Sequence, residues 1–268
     1  MHNGTDVIYW YDGSFDGLLC CVFESIYQKE MPLEICIGPG EASLFPVKEI
    51  VTDPEKAQRV LQSIPKKISS WALSFVKLTF LTCLPEKELH ILRFLRLGYR
   101  VGKDVTRMLG NDTVAAMRKA VLHLKNERHL LCGLLRFSDY DGVLVAQIEP
   151  KNDVLPLLAG HFSSRYANET FLIYDKNRKA ALLYSKGKVQ LASVETLELP
   201  QPGAAEQSYR ALWRRFYETV AIESRYNPKC RMTHMPKRYW GNMTEFLQQQ
   251  DVPRGIPDGG QRFLPDGQ

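Results

Sequence analysis

The stretch from Val7 to Leu19, "VIYWYDGSFDGLL", decides how the chain begins to fold. Aromatic and β-branched residues dominate its first half, which is typical of a strand, and a buried helix is predicted after its two glycines. Glycine permits the sharp reversal between the two elements, and Ser14 or Asp16 can cap the helix. Two glycines at this spacing do not form a phosphate loop, and Asp12 and Asp16 would repel phosphate. The stretch therefore predicts a structural turn first and a functional carboxylate, Asp12, second.

The composition of the 268 residues is that of a soluble globular protein, with 44% apolar and 24% charged residues. No apolar run reaches the roughly 18 residues that a membrane span needs, and the N-terminus lacks the charged start and cleavage site of a secretory signal. We therefore expect a cytoplasmic protein without a membrane partner. The six cysteines lack the spacings of zinc ribbons and iron-sulfur clusters, so the sequence predicts no metal and no cofactor. It does not define the oligomeric state.

The order of the predicted elements indicates an α+β protein. The chain begins with the N-terminal strand-helix element and continues through a helical middle, an antiparallel ββαββ unit, and a basic C-terminal helix and arm. We expect an N-terminal strand-helix and loop-rich region, residues 1–84, and a main domain, residues 85–246. The tail, residues 247–268, is rich in Gln, Gly, Pro and Asp, and we expect it to be disordered.

The ββαββ unit is predicted after Leu130, where the apolar pattern changes from a helical period to alternation. Two hairpins flank one helix, and the five segments are, in order, "LLCGLLRF", "VLVAQIE", "NDVLPLLAGHFSSRY", "TFLIYD" and "KAALLYSKG". Turn residues separate the two strands of each hairpin. The simplest arrangement is an antiparallel sheet with the helix on one face.

A stripe of positive charge is predicted on one helix in the middle of the chain. Five cations recur at spacings of three, four, three and four: Arg93, Arg96, Arg100, Lys103 and Arg107. They occupy about 80° of the helix surface, with an apolar face opposite. Gly98 and Gly102 lie on the apolar side, where they either let another element approach closely or divide the helix in two. The stripe is either a solvated face or a contact surface for an anion.

Positive charge is also concentrated near the C-terminus. Residues 209–240 carry eight Lys or Arg against two acids, a net charge of +6, so the rest of the chain sums to −1. An amphipathic helix is predicted from Glu206 to Ser224, because its aromatic and aliphatic residues recur every three or four positions. Such a concentration of positive charge attracts polyanions, and nucleic acid is the commonest of these inside a cell.

Six motifs follow one another along the chain. They are "YDGSFDGLL" from Tyr11, "QIEP" from Gln147, "HFSSRY" from His161, "LIYDKNRKA" from Leu172, "ESRYNPK" from Glu223 and "HMPKRYW" from His234. In these motifs the chain resembles, over residues 7–246, a bacterial family of DNA-repair or DNA-metabolism proteins built around a domain of unknown function. The resemblance implies a gene beside that of a radical-SAM protein suspected of DNA modification. It also implies a domain that occurs fused to uracil-DNA-glycosylase-like domains.

The predicted nucleic-acid contacts combine both basic segments with aromatic residues. Guanidinium and ammonium groups follow a phosphate backbone, and aromatic rings stack on exposed bases. The residues that we expect to bind nucleic acid are Arg93, Arg96, Arg100, Lys103, Arg107, Arg165, Arg214, Arg215, Arg225, Lys237, Arg238, Tyr239 and Trp240. The alternative is a structural C-terminal arm whose rings seal the core and whose charges are solvated. Whether the two basic surfaces form one groove is left open.

The sequence does not define catalytic residues. The candidates for proton transfer are Asp12, Glu149 and His161. His161 and Arg165 lie at i and i+4, where they either bind one phosphate or have a structural role. Asp12, Asp16 and Glu24 would offer clustered carboxylates to a divalent metal, but one short cluster rarely completes such a site. The signatures of P-loop, Rossmann, zinc-protease and zinc-deaminase enzymes are absent from the sequence.

These patterns and the resemblance predict a DNA-binding component of a bacterial DNA repair or modification system, with single-stranded or damaged duplex DNA as its ligand. A radical-SAM partner would carry the iron-sulfur cluster that this chain cannot hold. One alternative is an enzyme that acts on damaged or modified bases in DNA. Another is a protein-interaction adaptor whose cations bind an acidic partner. The sequence defines neither the lesion nor whether this chain is catalytic.

Overall fold

The structure, a computed structural model, describes residues 6–38 and 44–246. The predicted disordered tail, residues 247–268, lies outside the described residues. Within them the protein is an α+β protein with a helical middle and a five-stranded sheet, which confirms the predicted fold class. No helix in the described ranges combines the length and the apolar character needed to cross a bilayer.

The chain forms two compact units, and each consists of more than one segment. Unit 1 comprises the described residues up to 132 together with residues 149–165. Unit 2 comprises residues 133–148 and 166–246. The predicted limits of the N-terminal region and the main domain, at residues 84 and 246, stay predictions.

Unit 1 is mainly helical, with one small sheet. Its strands are β1 (Ile8–Tyr11), β2 (Glu34–Ile37) and β3 (Val47–Glu49), and its helices are α1 (Phe15–Tyr27), α2 (Pro54–Lys67), α3 (Ser70–Phe80), α4 (Lys87–Val101), α5 (Asp112–Leu134, which ends two residues beyond the unit) and α6 (Leu155–Arg165). The core of the unit joins the first strand to the helices, since Tyr9, Leu18 and Phe94 are all fully buried in one cluster.

The sheet of unit 1 is parallel, with β1 between β2 and β3. A central parallel strand is buried on both faces, which explains the continuous apolar run of β1; Ile8 and Tyr9, whose side chains point to opposite faces, are both buried. The sequence predicts β1 and α1 correctly, but only short elements and loops after them. β2 and β3 have four and three residues, and such short segments among prolines and glycines carry no clear strand pattern.

The turn between β1 and α1 is held by side chains of the opening stretch. Ser14 caps α1, since its hydroxyl accepts a hydrogen bond from the Gly17 N–H at 2.9 Å. The carboxylate of Asp12 accepts bonds from the Ser14 N–H at 2.9 Å and from the Ser14 and Thr52 hydroxyls at 2.7 and 2.8 Å. Gly13 has a φ of +80°, which few other residues adopt. The predicted structural turn and its serine cap are confirmed.

Replacing Gly17 by Ala is expected to lower the free energy of unfolding by about 2 kcal/mol, because overpacking displaces the hydrogen-bonded turn. An added Cβ would lie 2.2 Å from Oδ1 of Asp12 and 2.9 Å from Oγ1 of Thr52. Chemical denaturation measures the change. Gly160→Ala on α6 is the matched control, because a Cβ there meets nothing within 4 Å. Equal stability of the two variants would contradict the expectation.

Helix α4 is shorter than the predicted basic stripe. It ends at Val101, and a 3-10 turn follows from Gly102, which has a φ of +68°, to Arg107. The five cations therefore do not share one helix, and the predicted alternative, division at a glycine, is correct. Gly98 stays inside α4 and provides a close approach: a Cβ there would lie 2.6 Å from Cδ1 of Ile68.

Unit 2 contains the five-stranded sheet and the C-terminal helices. Its strands are β4 (Ser138–Tyr140), β5 (Val143–Ile148), β6 (Thr170–Asp175), β7 (Ala180–Ser185) and β8 (Lys188–Ser193), in that order across the sheet. Its helices are α7 (Ala204–Thr219) and α8 (Pro228–His234), with 3-10 turns at Glu223–Arg225 and Lys237–Asn242.

The sheet of unit 2 is mixed, so the prediction of an antiparallel ββαββ sheet is wrong in one pairing. The first predicted strand, "LLCGLLRF", is also wrong, because α5 continues to Leu134 and β4 begins only at Ser138. β5 and β6 are parallel, whereas the other neighbouring strands are antiparallel. The physical reason is the helix between them, because a crossover returns the chain to the same end of the sheet. That helix, α6, belongs to unit 1 rather than to the unit of the strands. The sequence also misses β8, five of whose six residues are exposed and show no clear alternation.

Candidate nucleic-acid interface

The predicted basic stripe lies in unit 1 and is divided between α4 and the turn that follows it. α4 carries Arg93, Arg96 and Arg100, and the turn carries Lys103 and Arg107. All except Arg96 are exposed. Within the described ranges, none of the five forms a salt bridge with a carboxylate. These cations are therefore available to an anion from outside the unit.

Arg96 has a structural role as well as a position on the stripe. Its Nη1 donates hydrogen bonds to the carbonyl of Ser25 at 3.1 Å, to the Ser25 hydroxyl at 2.8 Å and to the carbonyl of Glu30 at 2.7 Å. These bonds tie α4 to the C-terminal end of α1, where backbone carbonyls lack partners within the helix. The guanidinium is thus fixed in place.

A cavity of about 590 Å³ lies between α1, α2 and α4 in unit 1. We call it the basic pocket. Three aromatic residues line it: Phe23 and Tyr27 from α1 and Tyr99 from α4. The rings of Phe23 and Tyr27 are nearly parallel, with an interplanar angle of 10° and centroids 5.8 Å apart. The hydroxyl groups of Tyr99 and Ser63 are 2.6 Å apart, and this hydrogen bond fixes the Tyr99 ring.

Five cations surround these rings, and no Asp or Glu is among the lining residues in the described part of the chain. The cations are Lys29, Arg59, Lys67, Arg96 and Arg100. The Arg59 guanidinium lies 5.3 Å from the centroid of the Phe23 ring, and the Lys67 ammonium lies 5.9 Å from that of Tyr99. A concave wall with one sign of charge concentrates the electrostatic potential inside it. The pocket is therefore suited to an anion with a flat apolar part.

Two lysines of unit 1 that lie outside the pocket lining are ion-paired. Lys48 lies 2.7 Å from Glu30, and Lys56 lies 2.8 Å from Glu24. Glu30 also accepts a hydrogen bond from Tyr9. Acids of α1 and of the loop after it are thus bound to cations outside the pocket, and the pocket cations keep an uncompensated positive charge.

Sequence reasoning misses three of the pocket cations: Lys29, Arg59 and Lys67. Lys29 follows α1, whereas Arg59 and Lys67 lie on α2, and only the packing of α1, α2 and α4 brings them together with the arginines of α4. One local signal was available. Arg59 and Lys67 are eight residues apart on α2, a spacing that puts two side chains on one face. Phe23 and Tyr27 share a face of α1 at i and i+4 for the same reason.

The basic C-terminal residues lie in unit 2. Arg214 is partly buried, while Arg215, Arg225, Lys237 and Arg238 are exposed. Arg231 lies among aromatic rings, with its guanidinium 5.2 Å from the Trp240 centroid and 5.6 Å from that of Phe246. Trp240 stacks on Phe246 at a centroid distance of 4.4 Å. This part of the arm is a packed cluster of cations and rings.

Two predicted base-stacking rings are engaged inside unit 2. Tyr239 is 5% exposed, and its hydroxyl accepts a hydrogen bond from Arg238. The indole N–H of Trp240 donates to the carbonyl of Met235 at 2.8 Å. The described arm therefore presents mainly cations at its surface, together with the exposed ring of Tyr226. Contact between these residues and nucleic acid stays a prediction.

The three candidates for proton transfer do not form a common hydrogen-bonded site. Asp12 is exposed, and the Ser14 hydroxyl and other hydrogen bonds hold the pKa of its carboxyl below the ordinary value. His161 packs its ring edge to face against Phe162, and its Nε2 is buried without a partner among the described residues. Glu149 is exposed after β5. None of the three lines the basic pocket.

The side chains predicted as candidates for phosphate or metal binding are Arg165, Asp16 and Glu24. Arg165 is exposed at the end of α6. Asp16 is exposed on α1, and Glu24 of the same helix is ion-paired with Lys56 at 2.8 Å. The described residues contain no group of three His, Cys, Asp or Glu side chains suited to a metal ion.

A family model described as a domain of unknown function, DUF4130, matches residues 85–245, which is more than half of the chain. No curated protein and no solved structure matches the chain. The matched residues include α4 with its arginines, the strands of unit 2, and α7. They begin after α1 and α2, which supply Phe23, Tyr27 and Arg59 to the basic pocket.

Proposed function

The chain belongs to the DUF4130 family, which is described as a domain of unknown function, and we propose that it is a DNA-binding component of a bacterial DNA repair or modification system. One observation carries the proposal: the cations of α4 and of the following turn have no carboxylate partner within the described ranges. The repair context and the radical-SAM partner rest on the resemblance of the sequence motifs.

The arrangement of the cations supports a polyanionic ligand. Arg93 and Arg100 are about 10 Å apart along the axis of α4, a length that reaches more than one phosphate of a strand. Neutralising phosphates with Arg and Lys releases counterions, which supplies most of the sequence-independent affinity for DNA. The basic C-terminal residues Arg215, Lys237 and Arg238 would add further phosphate contacts.

The test is the salt dependence of binding to single-stranded, duplex and uracil-containing DNA. Fluorescence anisotropy measures the binding constant. We expect the logarithm of the binding constant to fall linearly with the logarithm of the salt concentration. Replacing both Arg93 and Lys103 by Gln should reduce the slope by about 1.5, because each lost phosphate contact contributes about 0.7–0.9. Binding that does not respond to salt would exclude the proposal.

The matched control replaces Lys119 and Lys125 by Gln. Both lysines are exposed on α5 in unit 1 and make no described salt bridge, so the control removes the same charge from another surface. An equal decrease in slope for both pairs would mean that only net charge matters. Polyglutamate that displaces DNA completely and binds as tightly would favour the adaptor with an acidic partner.

An enzyme acting on bases is supported less well, because neither Asp12 nor His161 forms a hydrogen bond or ion pair with the other or with Glu149 in the described residues. The radical-SAM partner would supply an iron-sulfur cluster, since the six cysteines of this chain lack the usual cluster spacing. Co-purification of the two proteins from cells that express both tests this partnership.

A further inference from the structure

We propose that the basic pocket of unit 1 binds a single nucleotide, with the base against the Phe23–Tyr27 rings and the phosphate among the cations. The inference deepens the proposed function, because the nucleotide would belong to an unpaired stretch or end of a DNA strand. A free nucleotide has the same chemistry, and the experiment below separates the two sources.

The aromatic wall provides the surface for the base. Tyr27 is 72% exposed, although it is a large ring at the edge of a cavity. Phe23 stacks with Tyr27. The Arg59 guanidinium lies 5.3 Å from the centroid of the Phe23 ring. A flat base would continue this series of stacked groups and cover the exposed face of Tyr27. Stacking on aromatic side chains depends little on base identity, because every base has a π-face.

The cations provide the site for the phosphate. Arg96 keeps its Nη2 and Nε without a partner in the described part of the chain, while its Nη1 is fixed by α1. Its fork is thus held at the pocket wall and still has donors to offer, as bidentate phosphate binding requires. Arg59 and Arg100 make no described salt bridge. A phosphate would satisfy donors that the protein leaves open.

The size of the pocket limits what enters it. A volume of about 590 Å³ lies within the range of small-ligand sites, roughly 300–1,000 Å³. Such a concavity, bounded by three helices, has room for one nucleotide but not for a paired and stacked duplex. A base must leave its stack to reach the Tyr27 ring, which costs least where the strand is single or mismatched. We therefore expect a preference for single-stranded DNA over blunt duplex.

The experiment uses the full chain and a short single-stranded oligonucleotide that contains one 2-aminopurine. Tyr27→Ala should weaken binding about tenfold, because it removes one stacking partner. The salt slope should stay unchanged, because no charge is removed, and the quenching of 2-aminopurine should be lost. Tyr27→Trp should retain both affinity and quenching. Arg59→Gln should instead reduce the salt slope by about 0.7.

Tyr209→Ala is the matched control, because Tyr209 is 68% exposed on α7 and lies outside the basic pocket. If Tyr27→Ala binds like the control while wild-type binding still depends on salt, the pocket inference fails and the proposed function stands. If adenosine monophosphate binds in a Tyr27-dependent way and DNA does not bind, the pocket inference stands with a free nucleotide and the proposed function fails. Failure of both ligands overturns both.

Discussion

Replacement of Arg136 by Gln is expected to lower the free energy of unfolding by about 3–5 kcal/mol, because it leaves a buried carboxylate without its cation. The side chain of Glu245 is 1% exposed and receives Arg136 Nη2 at 2.8 Å. It also accepts a hydrogen bond from the indole of Trp213 at 3.1 Å. The Arg136 guanidinium lies 5.4 Å from the Trp213 ring, so one cation joins the start of unit 2 to α7 and to the C-terminal segment.

Chemical denaturation followed by far-UV circular dichroism measures this effect. Arg215→Gln is the control, because Arg215 is exposed on α7 and its replacement removes the same charge. The double variant Arg136→Gln with Glu245→Gln should recover part of the loss, since no unpaired charge is then buried. A double variant as unstable as the single one would show that burial of the charge is not the cause.

Replacement of Asn152 by Ala is expected to destabilise unit 1 by about 3 kcal/mol, because several buried polar groups lose their partner at once. Asn152 is completely buried. Its Oδ1 accepts a hydrogen bond from the Cys83 N–H at 3.0 Å, and its Nδ2 donates to Glu127 at 2.6 Å. Glu127 is 1% exposed. The substitution leaves the Cys83 N–H without its acceptor and weakens the solvation of a buried carboxylate.

Hydrogen exchange provides a local readout for this second variant. The amide of Cys83 should lose protection in Asn152→Ala to a greater extent than amides of the β1 strand. Asn126→Ala is the matched control, because Asn126 is exposed on α5 and its side chain makes no described hydrogen bond. An Asn152 variant within about 0.5 kcal/mol of this control would contradict the expected role, since surface changes typically stay within that range.

Local chemistry explains which parts of the fold the sequence predicts. The cap of α1 at Ser14 depends on hydrogen bonds within three residues, so a local pattern is sufficient to predict it. The parallel pairing of β5 with β6 depends on a crossover and on partners about 27 positions apart, such as Val143 and Thr170. No local pattern specifies such a pairing.

The candidate site divides in the same way. The periodic arginines of α4 can be counted along the chain, and their position on one face follows from helix geometry. The basic pocket cannot be counted in this way, because Arg59 and Tyr27 meet only through the packing of two helices. The sequence predicts the stacking rings of the arm from composition alone, which does not distinguish the buried Tyr239 from the exposed Tyr226.

The core of unit 1 includes residues from outside the part of the chain that matches the family model. The family match begins at residue 85, yet Phe94 on α4 is buried in one cluster with Tyr9 and Phe75 from the preceding segment. A fragment limited to residues 85–245 would expose this apolar surface to water. The residues by which relatives are recognised are therefore fewer than the residues that a cell must synthesise to obtain a stable protein.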